Sequence, residues 1–269
     1  MLPAACLGFD IEFSPGPVVN NSISDAAQID DLQNDIDLTP VNYVFEALER
    51  TKEKLSEHSN ERGRKALLGF AATPWTLACY LLDQTPYKHF AGTSIFAAKY
   101  PDKFQELLSK ISDLTIAYCQ AQIKAGADAI QLFDSWGGVL SANEFRDISL
   151  SHTNRIIDAL RPSAPVILFA NGASHLVEPL ASTNADAISI DWRCELSLIA
   201  AKAEGKAVQG NLNPSLLFSD ASTLEKNINR MLEEAPSGRY IANLGHGVLQ
   251  KTPIEAVEQF VSIVQSYRK

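Results

Sequence analysis

Residues 129–138 read Ala-Ile-Gln-Leu-Phe-Asp-Ser-Trp-Gly-Gly, a short apolar run that ends in polar residues and two glycines. The run is too short for a helix and does not alternate cleanly, which is typical of a strand in a buried parallel sheet. Similar runs lie at residues 66–71, 166–169, 187–190, 207–209 and 240–244. Helical patterns separate the runs, and six βα units in this order predict an α/β fold with a parallel sheet.

The length of the chain is compatible with a βα barrel. It has 269 residues, and an eightfold βα barrel typically takes about 250. Six strands are two fewer than a closed barrel needs, whereas an open doubly wound sheet would be complete with six. The strand count therefore leaves both architectures open. Because no low-complexity linker interrupts the chain, a single domain over residues 1–269 is the simplest prediction.

Several segments carry signals for helices or loops. Residues 1–40 are rich in proline and acidic residues, which predicts a loop and a poorly structured segment. Residues 41–60 form an amphipathic helical pattern. Three further helix starts are predicted from residue pairs that fit a capping box, Ser141 with Glu144, Ser222 with Glu225, and Thr252 with Glu255.

The composition excludes several classes of partner. The net charge of −9 disfavours nucleic acid and anionic membrane surfaces, and no apolar run approaches the roughly 18 residues of a membrane span. The four cysteines form no C-x-x-C motif, which predicts reduced, buried thiols in the cytoplasm. No histidine spacing indicates a zinc site. An anionic substrate would therefore need local donors that reverse the field of the chain.

Polar residues follow the apolar runs, where a βα barrel places its active site. Ser135 follows the run at 129–133, and His246 lies between two glycines after the last run. Tyr80 offers a phenol to a carboxylate, and the main-chain N–H groups of Gly137 and Gly138 are candidates to face an anion. The residues predict a mouth lined with neutral donors, with no nucleophile–base pair.

The segments that carry these residues resemble those of the uroporphyrinogen decarboxylase family. They read Gly-Phe-Ala-Ala-Thr-Pro-Trp-Thr-Leu-Ala, Gln-Leu-Phe-Asp-Ser-Trp-Gly-Gly, Ile-Asp-Trp, Gln-Gly-Asn-Leu-Asn-Pro and Asn-Leu-Gly-His-Gly, in this order. The resemblance implies a TIM-type (β/α)8 barrel and a cofactor-free, cytosolic, homodimeric enzyme that converts the four acetate side chains of uroporphyrinogen to methyl groups. It also implies that Tyr80, Ser135 and His246 contact the substrate and that Phe133 lines the macrocycle pocket.

Two motifs of the family are not found in this sequence. One is a segment similar to Arg-Gln-Ala-Gly-Arg-Tyr, whose arginines bind substrate carboxylates; the other is a Phe-Ser-Asp segment whose aspartate binds the pyrrole N–H groups. The resemblance therefore implies about six βα units with the first two missing, and neither Asp10 nor Asp134 matches the missing aspartate. We expect this chain alone to have little or no decarboxylase activity, and the open sheet edges to be prone to wrong pairing.

Alternatives remain for individual residues and for the function. His246 is also suited to a turn, Tyr80 to core packing, and Phe133 to packing as well as to a pocket wall. Arg193 follows Asp191-Trp192 where a neutral residue is expected, and it suits either a substrate carboxylate or the surface. A related zinc- and corrinoid-linked methyltransferase would need a His-x-Cys motif, which this sequence lacks. A tetrapyrrole-binding protein without activity is the alternative from a different class.

Overall fold

The centre of the fold is a parallel sheet of six strands. The computed structural model describes residues 1–13, 16–33, 35–57, 65–82 and 90–267. The sheet strands are β3 (Leu68–Ala72), β4 (Ala129–Asp134), β5 (Val166–Ala170), β6 (Ala187–Ile190), β7 (Ala207–Leu212) and β8 (Tyr240–Leu244). Neighbouring strands are consecutive in the chain, from β3 to β8. This order has no reversal point, so it is the order of a βα-barrel wall and not of a doubly wound sheet.

Helices connect consecutive sheet strands, and further helices precede β3 and follow β8. They are α1 (Asn42–Glu57), α2 (Pro74–Leu82), α3 (Ala91–Lys99), α4 (Pro101–Lys124), α5 (Ala142–Glu144), α6 (Ser151–Leu160), α7 (Val177–Ala181), α8 (Leu196–Lys202), α9 (Ala221–Glu234) and α10 (Ile254–Ser266). A π-helical segment, Phe145–Leu150, joins α5 to α6. Right-handed crossovers between sequential parallel neighbours bring the helices to the same face of the sheet. No helix in the described ranges has the length and apolar content to cross a membrane.

The strand register separates a helix-facing side from an inner side. Successive residues of a strand point to opposite faces. Ile130, Leu132, Leu168 and Ile188 face the helices and are fully buried. The register runs across all six strands through one row of inner-facing residues, Ala72, Phe133, Phe169, Ser189, Gln209 and Ile241. The inner face is thus a mixed aromatic and polar surface.

The N-terminal segment is more ordered than its composition predicts. Leu2–Leu7 and Ala26–Ile29 form 3-10 helices, and β1 (Ile11–Phe13) pairs antiparallel with β2 (Pro17–Val19). Ala4 and Ile29 are completely buried. The prediction of a poorly structured segment over residues 1–40 is therefore wrong for the described residues. Proline and acidic residues excluded long helices here, but scattered apolar side chains still join the core.

One of the three capping boxes is present as predicted. The Ser141 hydroxyl and the Glu144 carboxylate cap each other's main-chain N–H groups at the start of α5. Ser222 lies inside α9, because Asp220 caps that helix by accepting from the main-chain N of Thr223 at 3.0 Å. Helix α10 begins at Ile254 without a side-chain cap, so the Thr252 box is also wrong. Aspartate and serine are both favoured N-cap residues, and here Asp220, two residues before Ser222, takes that position.

The outer edge of β3 is closed by a side chain from α4. The amide oxygen of Gln122 accepts from the main-chain N of Phe70 and its amide nitrogen donates to the main-chain O of Phe70, both at 3.0 Å. Main-chain groups of alternate strand residues point to opposite edges, and Leu67 and Thr73 bond towards β4. The Phe70 groups therefore face outward. At this position the edge expected to be open for wrong pairing is occupied.

Candidate functional site

A cavity of about 380 Å³ opens at the carboxyl ends of the strands. Phe133, Ser135 and His246, three of the four residues predicted to bind substrate, line it together. Ser135 directly follows β4, the second strand of the sheet order, and His246 follows β8, the last. Both residues nevertheless line one cavity, as expected of a curved sheet. The predicted placement of Phe133, Ser135 and His246 at a shared cavity is thus observed.

Neutral polar side chains form the floor of the cavity. The Gln209 amide nitrogen donates to the Ser189 hydroxyl at 2.9 Å and to the Gln131 amide oxygen at 3.2 Å. Ser189 and Gln209 are almost completely buried. A network whose members bond one another is held rigid, because any break would leave a buried polar group without a partner. The floor therefore offers fixed dipoles without a net charge.

A row of aromatic rings crosses the inner face beside this floor. The ring centroids of Phe70 and Phe133 are 6.1 Å apart, those of Phe133 and Phe169 are 5.6 Å apart, and those of Phe169 and His246 are 6.1 Å apart. Phe70, at the open end of the row, is 62% exposed. The row runs from the exposed Phe70 through the partly exposed Phe133 and the buried Phe169 to the exposed His246, and such a row is suited to contact with a large apolar ring framework.

A buried carboxyl group holds the loop that presents Ser135. Asp134 is fully buried, and its oxygens accept from the hydroxyls of Thr76 at 2.8 Å and Ser149 at 3.4 Å. Thr76 also accepts from the main-chain N of Trp136 at 3.2 Å. Burial raises the pKa of Asp134 to about 6, and the hydrogen bonds from the hydroxyls oppose that rise. Asp134 is therefore an internal anchor of the loop, away from the cavity surface.

Two glycines allow the loops of the mouth to approach closely. A Cβ on Gly138 would lie 2.4 Å from the main-chain O of Asn171, and a Cβ on Gly245 would lie 2.5 Å from the main-chain N of Trp192. Real Cβ atoms do not approach main-chain atoms so closely, so only glycine fits at either position. Packing explains these glycines directly. The expectation that the N–H groups of Gly137 and Gly138 face an anion stays a prediction.

Tyr80 lies outside the cavity lined by the other three predicted residues. It is half-buried on α2, and its ring packs against Phe90 at 5.8 Å and Trp136 at 6.2 Å between centroids. Trp136 follows Ser135 in the chain, so Tyr80 contacts the neighbour of a cavity residue and not the cavity itself. The ring contacts agree with the core-packing alternative. Residues 83–89, which follow α2, lie outside the described residues.

Sequence reasoning did not assign to the site the other six residues that line the cavity, which are Gln131, Phe169, Ser189, Asn243, Leu244 and Gly247. The signal for Gln131 was the alternation within its strand, because Gln131 shares a face with Phe133 and Ser135. Counting inward positions from Ser135 would have found Gln131 but not the strand partners. Within the described residues, no group of three or more His, Cys, Asp or Glu side chains is arranged to hold a metal ion.

Solved structures with a similar fold include a methyltransferase and a methionine synthase. A methyltransferase from Methanosarcina mazei superposes with a TM-score of 0.82 over 98% of this chain and 77% of its own, at 18% identity. A B12-independent methionine synthase from Shewanella sp. W3-18-1 superposes with a TM-score of 0.58 over 82% of this chain and 66% of its own, at 15% identity. At these identities the superpositions show the shared fold.

Sequence comparison identifies the family. The family model described as uroporphyrinogen decarboxylase (URO-D) matches residues 1–267. The uroporphyrinogen decarboxylase of Christiangramia forsetii is 34% identical over 98% of this chain and 76% of its own length. That of Pelobacter propionicus is 34% identical over 98% of this chain and 77% of its own length. The chain, with its barrel-wall sheet and its Ser135–His246 mouth, belongs to the uroporphyrinogen decarboxylase family.

Proposed function

We propose that this chain acts on uroporphyrinogen and decarboxylates its four acetate side chains to give coproporphyrinogen. The observation that carries the proposal is the row of Phe70, Phe133, Phe169 and His246 beside Ser135. A tetrapyrrole has a large hydrocarbon ring framework with N–H groups at its centre, and it carries carboxylates at its rim. The aromatic row suits the ring, and the neutral donors at the carboxyl ends of the strands suit the rim.

The reaction can proceed without a resident cofactor because the substrate supplies its own electron sink. Protonation of a pyrrole ring at carbon gives a ring cation. The bond from the acetate CH₂ group to its carboxylate then breaks, and its electron pair flows into the cationic ring while carbon dioxide leaves. Protonation of the resulting exocyclic carbon gives the methyl group, and the ring carbon then releases the proton that it gained in the first step, which restores the neutral pyrrole. The protein must hold the ring and stabilise the transient cation electrostatically.

The residues of the mouth have distinct roles in this proposal. Phe133 and Phe169 give the macrocycle a wall of low polarity, which strengthens electrostatic interactions at the ring. The Ser135 hydroxyl donates to a substrate carboxylate. His246, which is exposed on its loop, binds a substrate carboxylate through its imidazole. Tyr80 reaches the substrate from behind Trp136 through its hydroxyl.

The setting of the protein follows from the same family membership. We propose a cytoplasmic homodimer of one-domain subunits that binds neither nucleic acid nor membranes. The four cysteines are all buried, as expected of a protein in a reducing compartment. The acidic charge of −9 supports the exclusion of nucleic acid.

The direct test is to incubate the chain with enzymatically generated uroporphyrinogen and to separate the products by chromatography after oxidation. We expect coproporphyrin to form slowly, because the arginine and aspartate motifs of the family are not found in this sequence. Ser135→Ala and His246→Gln should each reduce its formation at least about tenfold. The proposal is refuted if no variant changes the rate, or if no partially decarboxylated product forms during long incubation.

Binding without decarboxylation would favour the second function, a tetrapyrrole-binding protein that has lost its activity. The same aromatic row and neutral donors would serve that function. Product analysis separates the two functions, because only the first changes the number of carboxylates on the porphyrin.

A further inference from the structure

Arg193 lies just after the carboxyl end of β6, and hydrogen bonds connect it to the loops that follow β4 and β5. Its guanidinium Nη1 donates to the Asp191 carboxylate and, at 3.4 Å, to the side-chain oxygen of Asn171. The Asn171 amide nitrogen in turn donates to the main-chain O of Ser135 at 3.5 Å. Two hydrogen bonds therefore connect the guanidinium of Arg193, through Asn171, to Ser135, the residue that we propose to bind a substrate carboxylate.

A second set of contacts ties Arg193 to the His246 loop. The guanidinium carbon lies 4.1 Å from the centre of the Trp192 ring. The main-chain N of Trp192 is in close contact with Gly245, which precedes His246. Stacking on an aromatic ring fixes the plane of a guanidinium and lowers the entropy lost on binding. The positive charge of Arg193 is thus connected both to the loop of Ser135 and to the loop of His246.

The guanidinium still has free capacity for a ligand. The Arg193 side chain is 49% exposed, whereas its partner Asp191 is 1% exposed. Asp191 also accepts from the main-chain N–H groups of Gly172 at 2.8 Å and of Arg193 at 3.2 Å, so its negative charge is shared among several donors. Among the described residues the hydrogen bonds of the guanidinium come from Nη1, which leaves Nε and Nη2 available.

There is also room for a charged substituent next to this group. Arg193 lines a second cavity of about 480 Å³ together with Asn211 and Asn213 at the end of β7; a second arginine, Arg230, and two carboxylates, Glu195 and Glu234, also line it. The first cavity is lined by neutral side chains, and the chain as a whole is acidic. An anionic ligand in this mouth therefore needs a local cation. A guanidinium with two free donors matches a carboxylate in a bidentate geometry.

We propose that Arg193 is a substrate-binding residue that holds one carboxylate of the tetrapyrrole and thereby positions the ring over Phe133 and Phe169. This inference rests on the proposed function, because it assumes a carboxylate-bearing tetrapyrrole as the ligand. It adds a cationic contact from the β6 end of the barrel wall to the neutral contacts of Ser135 and His246.

The test is titration with uroporphyrin, the stable oxidised form of the substrate, followed by quenching of tryptophan fluorescence. Arg193→Gln should raise the Kd about tenfold, equivalent to about 1.4 kcal/mol, and should weaken the dependence of the Kd on salt concentration. Arg193→Lys should show a smaller increase, because it keeps the charge and loses the bidentate geometry. The matched control is Arg155→Gln, an arginine that is 45% exposed and paired with Asp113 on the helical surface; its Kd should equal that of the wild type.

Arg193→Gln leaves the buried Asp191 without its cation, so the variant may be replaced by the double variant Arg193→Gln/Asp191→Asn if the single variant does not fold. Equal Kd and equal salt dependence in the wild type and in the folded Arg193 variant would overturn the inference alone and leave a structural role. Absence of uroporphyrin binding by the wild type would overturn the proposed function together with the inference. A raised Kd with an unchanged melting temperature in the folded variant supports the inference.

Discussion

Gln122 of α4 forms hydrogen bonds with both main-chain polar groups of Phe70 on the outer edge of β3. Its side chain is almost fully buried and takes the place that a neighbouring strand would have at this position. A single amide therefore protects an edge strand that carries an exposed phenylalanine, the type of edge that otherwise pairs with other chains.

Replacement of Gln122 by methionine should remove this protection at nearly constant volume. The Phe70 N–H and C=O groups would lose their partners, so we expect the free energy of unfolding to fall by about 1–3 kcal/mol. Light scattering during refolding should rise as well. Urea unfolding and scattering measure the two effects. The control is Gln259→Met, which loses one hydrogen bond to the Ala221 carbonyl at the surface; a similar loss of stability in both variants would contradict the special role of Gln122.

Gly245→Ala should disturb the mouth, whereas Gly247→Ala should not. A Cβ at Gly245 would lie 2.5 Å from the main-chain N of Trp192, and a Cβ at Gly247 would meet nothing within 4 Å. We expect Gly245→Ala to lower the free energy of unfolding by about 2 kcal/mol or more and to weaken uroporphyrin binding, because the His246 loop must move. Thermal unfolding of both variants decides the point. Equal melting temperatures would show that the close approach is not needed.

Asp134 should make stability depend on pH in a defined range. Burial raises its pKa to about 6 in the folded chain, above the value of about 3.9 in the unfolded chain. The folded state therefore favours the protonated form, and the stability from Asp134 is full below about pH 4 and is lost as the pH rises to about 6. Relative to the wild type, Asp134→Asn should gain about 2–3 kcal/mol between these pH values and nothing further above them.

The measurement for Asp134 is urea unfolding of the wild type and the variant from pH 4 to pH 8. Asp147→Asn, which removes an exposed carboxylate on the neighbouring π-helical segment, controls for the loss of a surface charge. A stability difference that grows above pH 6, or that stays constant throughout, would rule out the raised pKa as its cause.

Tyr80→Phe separates the substrate role of this residue from its packing role. The ring contacts with Phe90 and Trp136 survive the substitution, so we expect an unchanged melting temperature. Loss of one hydrogen bond to the substrate should raise the Kd for uroporphyrin roughly threefold. If the Kd is unchanged, Tyr80 is a packing residue, as its place behind Trp136 allows.

The sequence predicted the strands better than their surroundings. Short apolar runs located all six sheet strands, and β4 was placed within one residue. The pattern of each run depends on its own burial, so local sequence is sufficient. The choice of Asp220 over Ser222 as the cap of α9 depends on competition between nearby polar groups, and the burial of Ala4 depends on contact with distant elements. Neither is visible in a local pattern.

For the candidate site, too, some residues could be predicted from local sequence and others could not. Ser135 and His246 could be found because they follow apolar runs, and barrel geometry brings such positions together. The network of Gln209, Ser189 and Gln131 depends on the register of three strands, which the sequence alone does not define. The free capacity of Arg193 likewise appears only after the contacts of its neighbours are known.

The most direct test of the central claim is uroporphyrin binding by a double variant of the mouth, Ser135→Ala/His246→Gln. The matched control is Ser182→Ala/His175→Gln, which changes the same residue types away from the cavity. The account predicts that the wild type and the control bind with the same Kd and that the mouth variant, although folded, binds at least about tenfold more weakly. Equal affinity of all three proteins, or no binding by the wild type, would contradict the assignment of this mouth as the tetrapyrrole site.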